Sequence, residues 1–221
     1  GRPPLMKDNR IYQVHTPAEL KALSLSELKE LADSLRSDII QHTSVNGGHI
    51  GASLCCVDFI VALHKVFDTP CDSFVFDVGH QSYAHKMLTG RRFQFYKVRK
   101  ENSPSGFTNR SESEHDAFGA GHASTSISAA LGILEGKALK GESSHVIAVI
   151  GDGAMTGGLS FEGFNHAGDL KRGALAPLHD ETGQAHELRR PAVDERHVRD
   201  GSVLDDGPYR RGLGLEQRHL G

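Results

Sequence analysis

Apolar residues in the first quarter of the chain recur at the spacing of an α-helix. The residues that share one helical face are Leu28, Leu31, Leu35 and Ile39. Ser24 and Glu27 stand three residues apart, which is the spacing of a capping box at a helix start. Asn46-Gly47-Gly48 is a stop signal. The pattern therefore predicts an amphipathic helix between Ser24 and Asn46.

Further along the chain, helical spacing alternates with short runs of β-forming residues. Helices are predicted over residues 53–67, 82–88, 127–139 and 158–168, and strands over residues 74–78 and 145–150. Thr69-Pro70 marks the end of the first of these helices, because proline does not continue a helix. The run 145–150 is almost continuously apolar, as in the centre of a parallel sheet. This alternation predicts an α/β fold, a doubly wound and mainly parallel sheet flanked by helices.

Composition divides the chain into three parts. Residues 1–10 are polar and contain proline, which predicts a loose N-terminus, and residues 11–172 form the predicted domain. Within it, residues 99–125 are rich in Ser, Gly and Asn and are long for a loop, so they are predicted to be functional or mobile. Residues 173–221 form an atypical tail.

The tail lacks residue types that the domain uses freely. The tail contains no Lys, Asn, Phe or Ile, whose last occurrences in the chain are Lys171, Asn165, Phe164 and Ile150. Arg, Gly, Asp, Glu and His remain frequent in it. One interpretation is a disordered polar tail, which has too little apolar surface to fold. The interpretation that we favour is translation of a GC-rich gene in the wrong reading frame, which enriches Arg, Ala, Gly and Pro.

Composition and charge narrow the functional classes. The chain is 38% hydrophobic and 24% charged with a net charge of -3, so no basic excess is present to bind nucleic acid. No apolar run has membrane-spanning length, and no signal or transit peptide is recognised, which predicts no membrane partner. The cysteines, Cys55, Cys56 and Cys71, match neither a disulfide framework nor a zinc site. They indicate reduced thiols in a reducing cytoplasm.

Candidate chemistry begins at the end of the second predicted strand. Gly151-Asp152-Gly153 follows it, and the glycines permit a tight turn that approaches a ligand closely. Ligands of open α/β sheets bind at this edge. Mg²⁺ takes oxygen ligands and commonly bridges a carboxylate to phosphates, so Asp152 is a candidate metal ligand beside a diphosphate. An ordinary Gly-Asp-Gly turn is the alternative.

Three further glycine motifs carry a histidine at the end of an element. They are Asn46-Gly47-Gly48-His49-Ile50-Gly51, Asp77-Val78-Gly79-His80-Gln81 and Gly119-Ala120-Gly121-His122-Ala123. The last precedes a predicted helix, whose first backbone N–H groups favour an anion. One such histidine is more often structural. Three together indicate a phosphate-rich ligand and proton transfer near neutral pH.

These motifs resemble, in their order, the 1-deoxy-D-xylulose-5-phosphate synthase family of the transketolase superfamily. Residues 47–54 are similar to the first thiamine-diphosphate motif of the superfamily. The stretches similar to the synthase family are residues 67–70, 77–81, 85–86, 105–107, 110–114, 116–119, 121–130 and 151–158. The resemblance covers residues 11–172 and implies a thiamine-diphosphate-binding fold.

The resemblance implies a transferase that condenses pyruvate with D-glyceraldehyde 3-phosphate, using thiamine diphosphate and Mg²⁺. Its products would be carbon dioxide and 1-deoxy-D-xylulose 5-phosphate, a precursor of isoprenoids, thiamine and pyridoxal phosphate. The implied catalytic residues are His49 and His80. The implied cofactor-binding residues are Ser53, His80, Gly121, His122, Ala123, Asp152, Gly153 and Ala154, and Asp152 also holds the metal. The family implies a homodimer, located in the cytoplasm or, in a plant, the plastid stroma.

The sequence departs from the family pattern after residue 172. The family supplies a second magnesium ligand from an Asn at a later strand end, whereas Leu178-His179-Asp180-Glu181-Thr182 stands here. Asp180 or Glu181 could bind a metal, but the flanking residues do not resemble the family. We expect the strand beside residues 145–150 to be missing, which would expose an apolar sheet edge. His115 also stands where the family more often has an aromatic residue.

These departures give several hypotheses of function. The chain of 221 residues has no room for the family's later domains, one of which supplies the Glu that activates the aminopyrimidine. We therefore expect an inactive synthase fragment that binds thiamine diphosphate weakly. The alternatives are another transketolase-superfamily enzyme and a non-catalytic fragment that pairs with an intact copy. A nucleic-acid role for the tail is the weakest hypothesis, because its acidic residues outnumber its arginines.

Overall fold

Parallel strands form the centre of the structure, a computed structural model that describes residues 10–119 and 121–171 and the backbone of residues 175–180. The strands are β1 (Ser73–Phe76), β2 (Val146–Gly151) and β3 (Leu175–Asp180), in the order β1-β2-β3. Ser73 pairs with Val146, and Val146 pairs with Leu175, in parallel on both sides of β2. The predicted α/β class with a parallel sheet is confirmed.

Helices surround this sheet. In chain order they are α1 (Pro17–Lys21), α2 (Leu25–Asn46), α3 (Ile50–Cys55), α4 (Val57–Val66), α5 (Tyr83–Lys86), α6 (Ser126–Leu139), α7 (Asp152–Met155) and α8 (Gly158–Leu170). Shorter turns are 3₁₀ helices at Arg10–Gln13 and Arg92–Lys97 and a π-helical segment at Met87–Arg91. None of the helices in the described residues has both the length and the apolarity that a membrane crossing requires.

The helix α2 is the predicted amphipathic helix. Its capping box forms, because the Ser24 hydroxyl accepts the Glu27 N–H and the Glu27 carboxylate accepts the Ser24 N–H at 2.8 Å. Gly47 follows the last helical residue at φ 71°, a positive φ that glycine adopts at little cost. The apolar face is buried as expected, through Leu28, Leu31, Leu35 and Ile39.

The two faces of the sheet pack against different helices. Because side chains alternate along a strand, neighbouring residues of β1 and β2 enter separate cores. One core contains Phe74, Phe76, Ile147 and Val149 with residues of α1, α2, α4 and α5. The other contains Val75, Val146, Ala148 and Ile150 with residues of α6. Coverage on both faces explains why β2 is apolar along most of its length, as predicted for a central strand.

The helix predicted over residues 53–67 is interrupted. It starts earlier, at Ile50, and Cys56 separates α3 from α4 with φ -85° and ψ -3°. The Cys56 N–H donates to the Leu54 carbonyl instead of the carbonyl four residues earlier, so the α-helical hydrogen-bond ladder is interrupted there. The apolar spacing runs on across the break, so the sequence pattern does not reveal it.

The expected absence of a strand beside β2 was wrong. The strand β3 pairs with β2 from Val146, opposite Leu175, to Gly151, opposite Asp180. Its sequence contains neither Val nor Ile, and Pro177 has no N–H to donate, which argues against a central strand. An edge strand tolerates proline, and β3 is an edge of the described sheet.

The predictions for the two ends of the chain remain predictions. The loose N-terminus over residues 1–10 and the disordered or out-of-frame tail over residues 173–221 lie outside the described residues, apart from Arg10 and the backbone of 175–180. The predicted domain boundary at residue 172 falls in the same part of the chain.

Candidate functional site

Several segments meet at the carboxyl edge of the sheet. Because β1 and β2 are parallel and paired from Ser73 to Phe76, their last residues lie side by side. The chain leaves β1 at Asp77 and leaves β2 at Gly151, directly before the one-turn helix α7; residues 151–154 are called the 151–154 turn below. The start of α3 and the loop of residues 121–125 reach this edge through the contacts described below. It is the edge at which open α/β sheets bind ligands.

His49 and His80 lie next to each other, with ring centroids 6.0 Å apart at 77°. The Ser53 hydroxyl donates to the carbonyl of His80 at 3.0 Å, and the His49 N–H donates to the Tyr83 hydroxyl at 3.3 Å. Both Nδ1 atoms are buried and have no hydrogen-bond partner among the described residues. A buried polar atom without a partner is costly, so the described residues leave two hydrogen bonds unmade at this place.

Burial lowers the pKa of His49 from its ordinary value, and the nearby His80 and Arg99 lower it further. A hydrogen bond to the backbone of Gly106 acts in the opposite direction. The Phe107 ring lies beside the imidazole, with ring centroids 5.1 Å apart at 48°. His49 is therefore neutral near pH 7 and can accept a proton.

The loop of residues 121–125 is fixed by a buried carboxylate. Asp77 accepts the N–H of Ser124 at 2.7 Å and the N–H of Ser126 at 2.9 Å. The sequence predicted that N–H groups at this helix start face an external anion, but these two face the chain's own carboxylate. Directly before them, Gly121, His122 and Ala123 are exposed.

The 151–154 turn packs against this loop. Ala154 accepts hydrogen bonds at its carbonyl from the hydroxyls of Ser124, at 2.7 Å, and Ser160, at 2.9 Å. The Asp152 side chain is exposed, and its Oδ1 accepts the Gly153 N–H at 2.7 Å. The structure thus brings Asp152, Gly153 and Ala154 next to the segment that carries His122.

A metal ion at this edge would need ligands from outside the described side chains. Among the residues that the structure describes, no group of three His, Cys, Asp or Glu side chains could hold one. Mg²⁺ is commonly bound by one or two carboxylates plus phosphates and water, so Asp152 fits as one ligand. The backbone of Asp180 pairs with Gly151, and Glu181 lies outside the described residues.

A buried ionic cluster, which the sequence did not predict, anchors the long loop after Lys97. Lys86 donates to Glu112 at 2.6 Å, and Arg91 forms two bonds with Asp116 at 2.7 and 2.8 Å. Glu112 stands in a polar run of the sequence, yet only 17% of its side chain is exposed. Burial raises the pKa of Asp116, but hydrogen bonds from Arg91 and His85 outweigh burial and hold it well below its usual range.

The anchored loop also brings unpredicted residues to the histidine pair. Phe107 contacts His49, and the Arg99 side chain lies close to Gly47 and Gly106. Arg99 has φ 67°, and its N–H donates to the Pro104 carbonyl at 2.8 Å. The available signal was the unusual length of the Ser- and Gly-rich segment, which indicated a functional loop without identifying its residues.

Gly157 provides a test of how tightly the loop and the turn pack. A Cβ at this position would overlap the Ser124 hydroxyl and lie 3.0 Å from the Ser124 Cβ. Gly157→Ala is therefore expected to lower the free energy of unfolding by about 1–3 kcal/mol, measured by urea denaturation. The control is Gly158→Ala, whose Cβ meets nothing within 4 Å. Equal losses in both variants would contradict the packing described here.

The fold is that of transketolases of known structure. It matches the transketolase from Leishmania mexicana with a TM-score of 0.62 at 20% sequence identity, over 71% of this chain and 27% of that chain. It matches the transketolase from Campylobacter jejuni with a TM-score of 0.60 at 22% identity, over 72% of this chain and 29% of that chain. The fold class is therefore the transketolase-type α/β fold.

Sequence comparison is more specific than the fold. A model of the 1-deoxy-D-xylulose-5-phosphate synthase family matches residues 11–186. The chain is 56% identical over 167 residues to "1-deoxy-D-xylulose-5-phosphate synthase 1, chloroplastic" of Oryza sativa subsp. japonica. It is 53% identical over 168 residues to the 1-deoxy-D-xylulose-5-phosphate synthase of Thermus thermophilus. The chain belongs to the 1-deoxy-D-xylulose-5-phosphate synthase family, which confirms the resemblance.

The chain matches only part of each of these two relatives. The alignments cover 76% of this chain, but 23% of the Oryza protein and 27% of the Thermus protein. The chain thus spans about a quarter of the length of the curated relatives it matches. The family match also extends to residue 186, past the point where the sequence was predicted to depart from the family.

Proposed function

We propose that this chain is the thiamine-diphosphate- and Mg²⁺-binding part of a synthase that condenses pyruvate with D-glyceraldehyde 3-phosphate and releases carbon dioxide. The observation that carries the proposal is the His49–His80 pair, whose buried Nδ1 atoms have no partner among the described residues. The pair and the exposed turns of residues 121–123 and 151–154 lie at one sheet edge. Membership of the synthase family supports the same proposal.

The residues present fit such a cofactor. Asp152 would hold Mg²⁺, Gly153 and Ala154 would lie against the diphosphate, and residues 121–123 would lie along the cofactor. Thiamine diphosphate supplies the carbanion chemistry when it is bound. Ser53 contributes indirectly, because its hydroxyl is used to hold the carbonyl of His80.

The proposed task of the histidine pair is proton transfer. His49 is half-buried with its pKa lowered, so near neutral pH its ring can take up a proton and release it again. The His80 ring beside it offers a second buried Nδ1 at the same place. The Phe107 ring packs beside His49, with ring centroids 5.1 Å apart. The same proposal includes a homodimer, a cytoplasmic or plastid location and the isoprenoid-precursor role of the product.

Calorimetric titration of the purified chain with thiamine diphosphate, with and without Mg²⁺, tests the proposal. We expect binding that depends on Mg²⁺, and Asp152→Asn is expected to weaken it by about 10-fold or more, as loss of a metal-site group does. Asp169→Asn is the control, since Asp169 is exposed on α8. We expect no turnover of pyruvate and D-glyceraldehyde 3-phosphate by this chain alone. No binding by the unmodified chain, or equal losses in both variants, would overturn the proposal.

A further inference from the structure

Asp77 is a buried carboxylate next to the proposed cofactor site, and the proposed cofactor contacts do not include it. It directly follows β1, its side chain is buried at 1% exposure, and its N–H donates to the Val149 carbonyl at 2.7 Å. The backbone of Asp77 thereby extends the pairing of β1 with β2. Its two carboxylate oxygens accept one backbone N–H each, from Ser124 and from Ser126.

The two N–H groups belong to the start of α6. Ser126 is the first residue of that helix, and Ser124 is in the left-handed region at φ 67°, so both N–H groups reach one carboxylate. The first N–H groups of a helix have no intrahelical partner and carry partial positive charge. Asp77 satisfies one such donor, at Ser126, and also accepts the Ser124 N–H just before the helix, so it ties the loop of residues 121–125 to the end of β1.

The same loop is also tied to the 151–154 turn, through the side chain of Ser124. The Ser124 hydroxyl donates to the Ala154 carbonyl at 2.7 Å, and Gly157 packs so closely on Ser124 that no Cβ fits. Asp77, Ser124 and Ala154 therefore form a continuous chain of hydrogen bonds. This chain links the end of β1 to both exposed turns.

We propose that Asp77 is a positioning residue that sets the distance between the turns of residues 121–123 and 151–154. It determines the affinity of these turns for thiamine diphosphate without contacting the ligand. The inference rests on the proposed function of the two turns as walls of the cofactor site.

Asp77→Asn is the variant that tests this role. The substitution keeps the size of the side chain, but its amide group turns a donor toward one of the two backbone N–H groups, so one hydrogen bond is lost. Asp72→Asn is a matched control at the opposite end of β1. Asp72 is 8% exposed and accepts the N–H groups of Asp68 at 2.8 Å and His145 at 2.7 Å.

Calorimetry with thiamine diphosphate and Mg²⁺ should separate the two variants. We expect Asp77→Asn to weaken binding by about 10-fold or more, as loss of an outer-shell partner does. Asp72→Asn is expected to keep the affinity of the unmodified chain, even where its thermal unfolding midpoint falls as far as that of Asp77→Asn. Equal losses of affinity, or unchanged affinity in Asp77→Asn, would overturn the proposal.

A second variant covers the case in which Asp77→Asn does not fold. Ser124→Ala leaves both bonds of Asp77 in place and removes the bond to the Ala154 carbonyl. It is expected to weaken binding while the unfolding midpoint stays close to that of the unmodified chain. Unchanged affinity in this variant would contradict the proposed link.

Amide hydrogen exchange tests the role without any ligand. In Asp77→Asn, exchange should become faster at Ser124 and Ser126 and also across residues 153–157. Faster exchange confined to Ser124 and Ser126 would show that Asp77 does not position the second turn. Failure of the unmodified chain to bind thiamine diphosphate would instead overturn the proposed function, so the two failures are distinguishable.

Discussion

Asp116→Ala is expected to lower the free energy of unfolding by about 3–5 kcal/mol, as removal of one partner from a buried ion pair does. The Asp116 side chain is fully buried and forms two bonds with Arg91, and it also accepts the Asn109 N–H at 2.8 Å. Its loss leaves the largely buried Arg91 guanidinium with Glu112 as its remaining carboxylate contact. Urea denaturation followed by circular dichroism measures the change.

The matched control for Asp116→Ala is Asp33→Ala. Asp33 pairs with Arg36 at 3.2 Å, but its side chain is 81% exposed, and a pair of this kind contributes about 1 kcal/mol or less. Asp116→Asn retains an acceptor for Arg91 and is expected to lose less than Asp116→Ala. Similar losses in the two alanine variants would show that water screens the cluster and that it does not anchor the loop.

Acidification from about pH 7 to pH 5 is expected to destabilise the fold through two buried histidines. Burial lowers the pKa of both His64 and His85 from their ordinary value of about 6.5. Below that value the unfolded chain binds protons that the folded chain does not. The free energy of unfolding therefore falls with falling pH, by up to about 1.4 kcal/mol per pH unit for each histidine, until the lowered folded pKa is reached.

The surroundings of the pair explain why protonation is unfavourable. His64 Nε2 lies 3.0 Å from His85 Nδ1, so the two imidazoles share one hydrogen bond. The pKa of His64 is lowered by burial and then by His85, His115 and Lys21. For His85, Asp116 opposes the effect of burial, whereas Arg91 and His115 add to it. Both rings are fully buried, so water cannot solvate an added charge.

His64→Phe isolates the contribution of one ring. Below about pH 6.5, the substitution is expected to reduce the dependence of the free energy of unfolding on pH. The reduction is up to about 1.4 kcal/mol per pH unit, the effect of one proton. Urea denaturation at several pH values measures the slope, and His122→Gln is the control because His122 is exposed. An unchanged slope in His64→Phe would show that His64 does not contribute, and would assign the acid sensitivity to His85 or to His42, His49 or His115, whose pKa values are also lowered by burial.

Local sequence patterns predicted the helices and strands that are determined by residues close together in the chain. The helix α2 follows from its capping box and four apolar positions, and β2 follows from its apolar run. The break at Cys56 and the strand β3 could not be predicted in this way. Cys56 lies within an unbroken apolar period, and β3 exists because it pairs with β2, although Pro177 weakens its local pattern.

The candidate site shows the same division. Glycine-flanked motifs marked His49, His80 and the turn at Asp152, because backbone turns leave a local signature. The partners of Asp77 lie 47 and 49 residues away along the chain, so no local pattern links them. Glu112 stands in a polar run that is typical of an exposed loop, but distant residues, Lys86 and Arg91, pair with its carboxylate in the folded chain.

The pairing of Ser73 with Val146 has a consequence for the order of folding. Neighbouring strands of a parallel sheet are joined by a crossover, so the first ladder closes only after a long intervening segment has been synthesised. While that segment is made, Phe74 and Phe76 have no strand partner, but α2 and α4, which precede them, share their core. We therefore expect these helices to cover the apolar residues of β1 before β2 is made. On this order the sheet completes late, and helix docking is the step expected to shield the apolar strand residues of the nascent chain from aggregation.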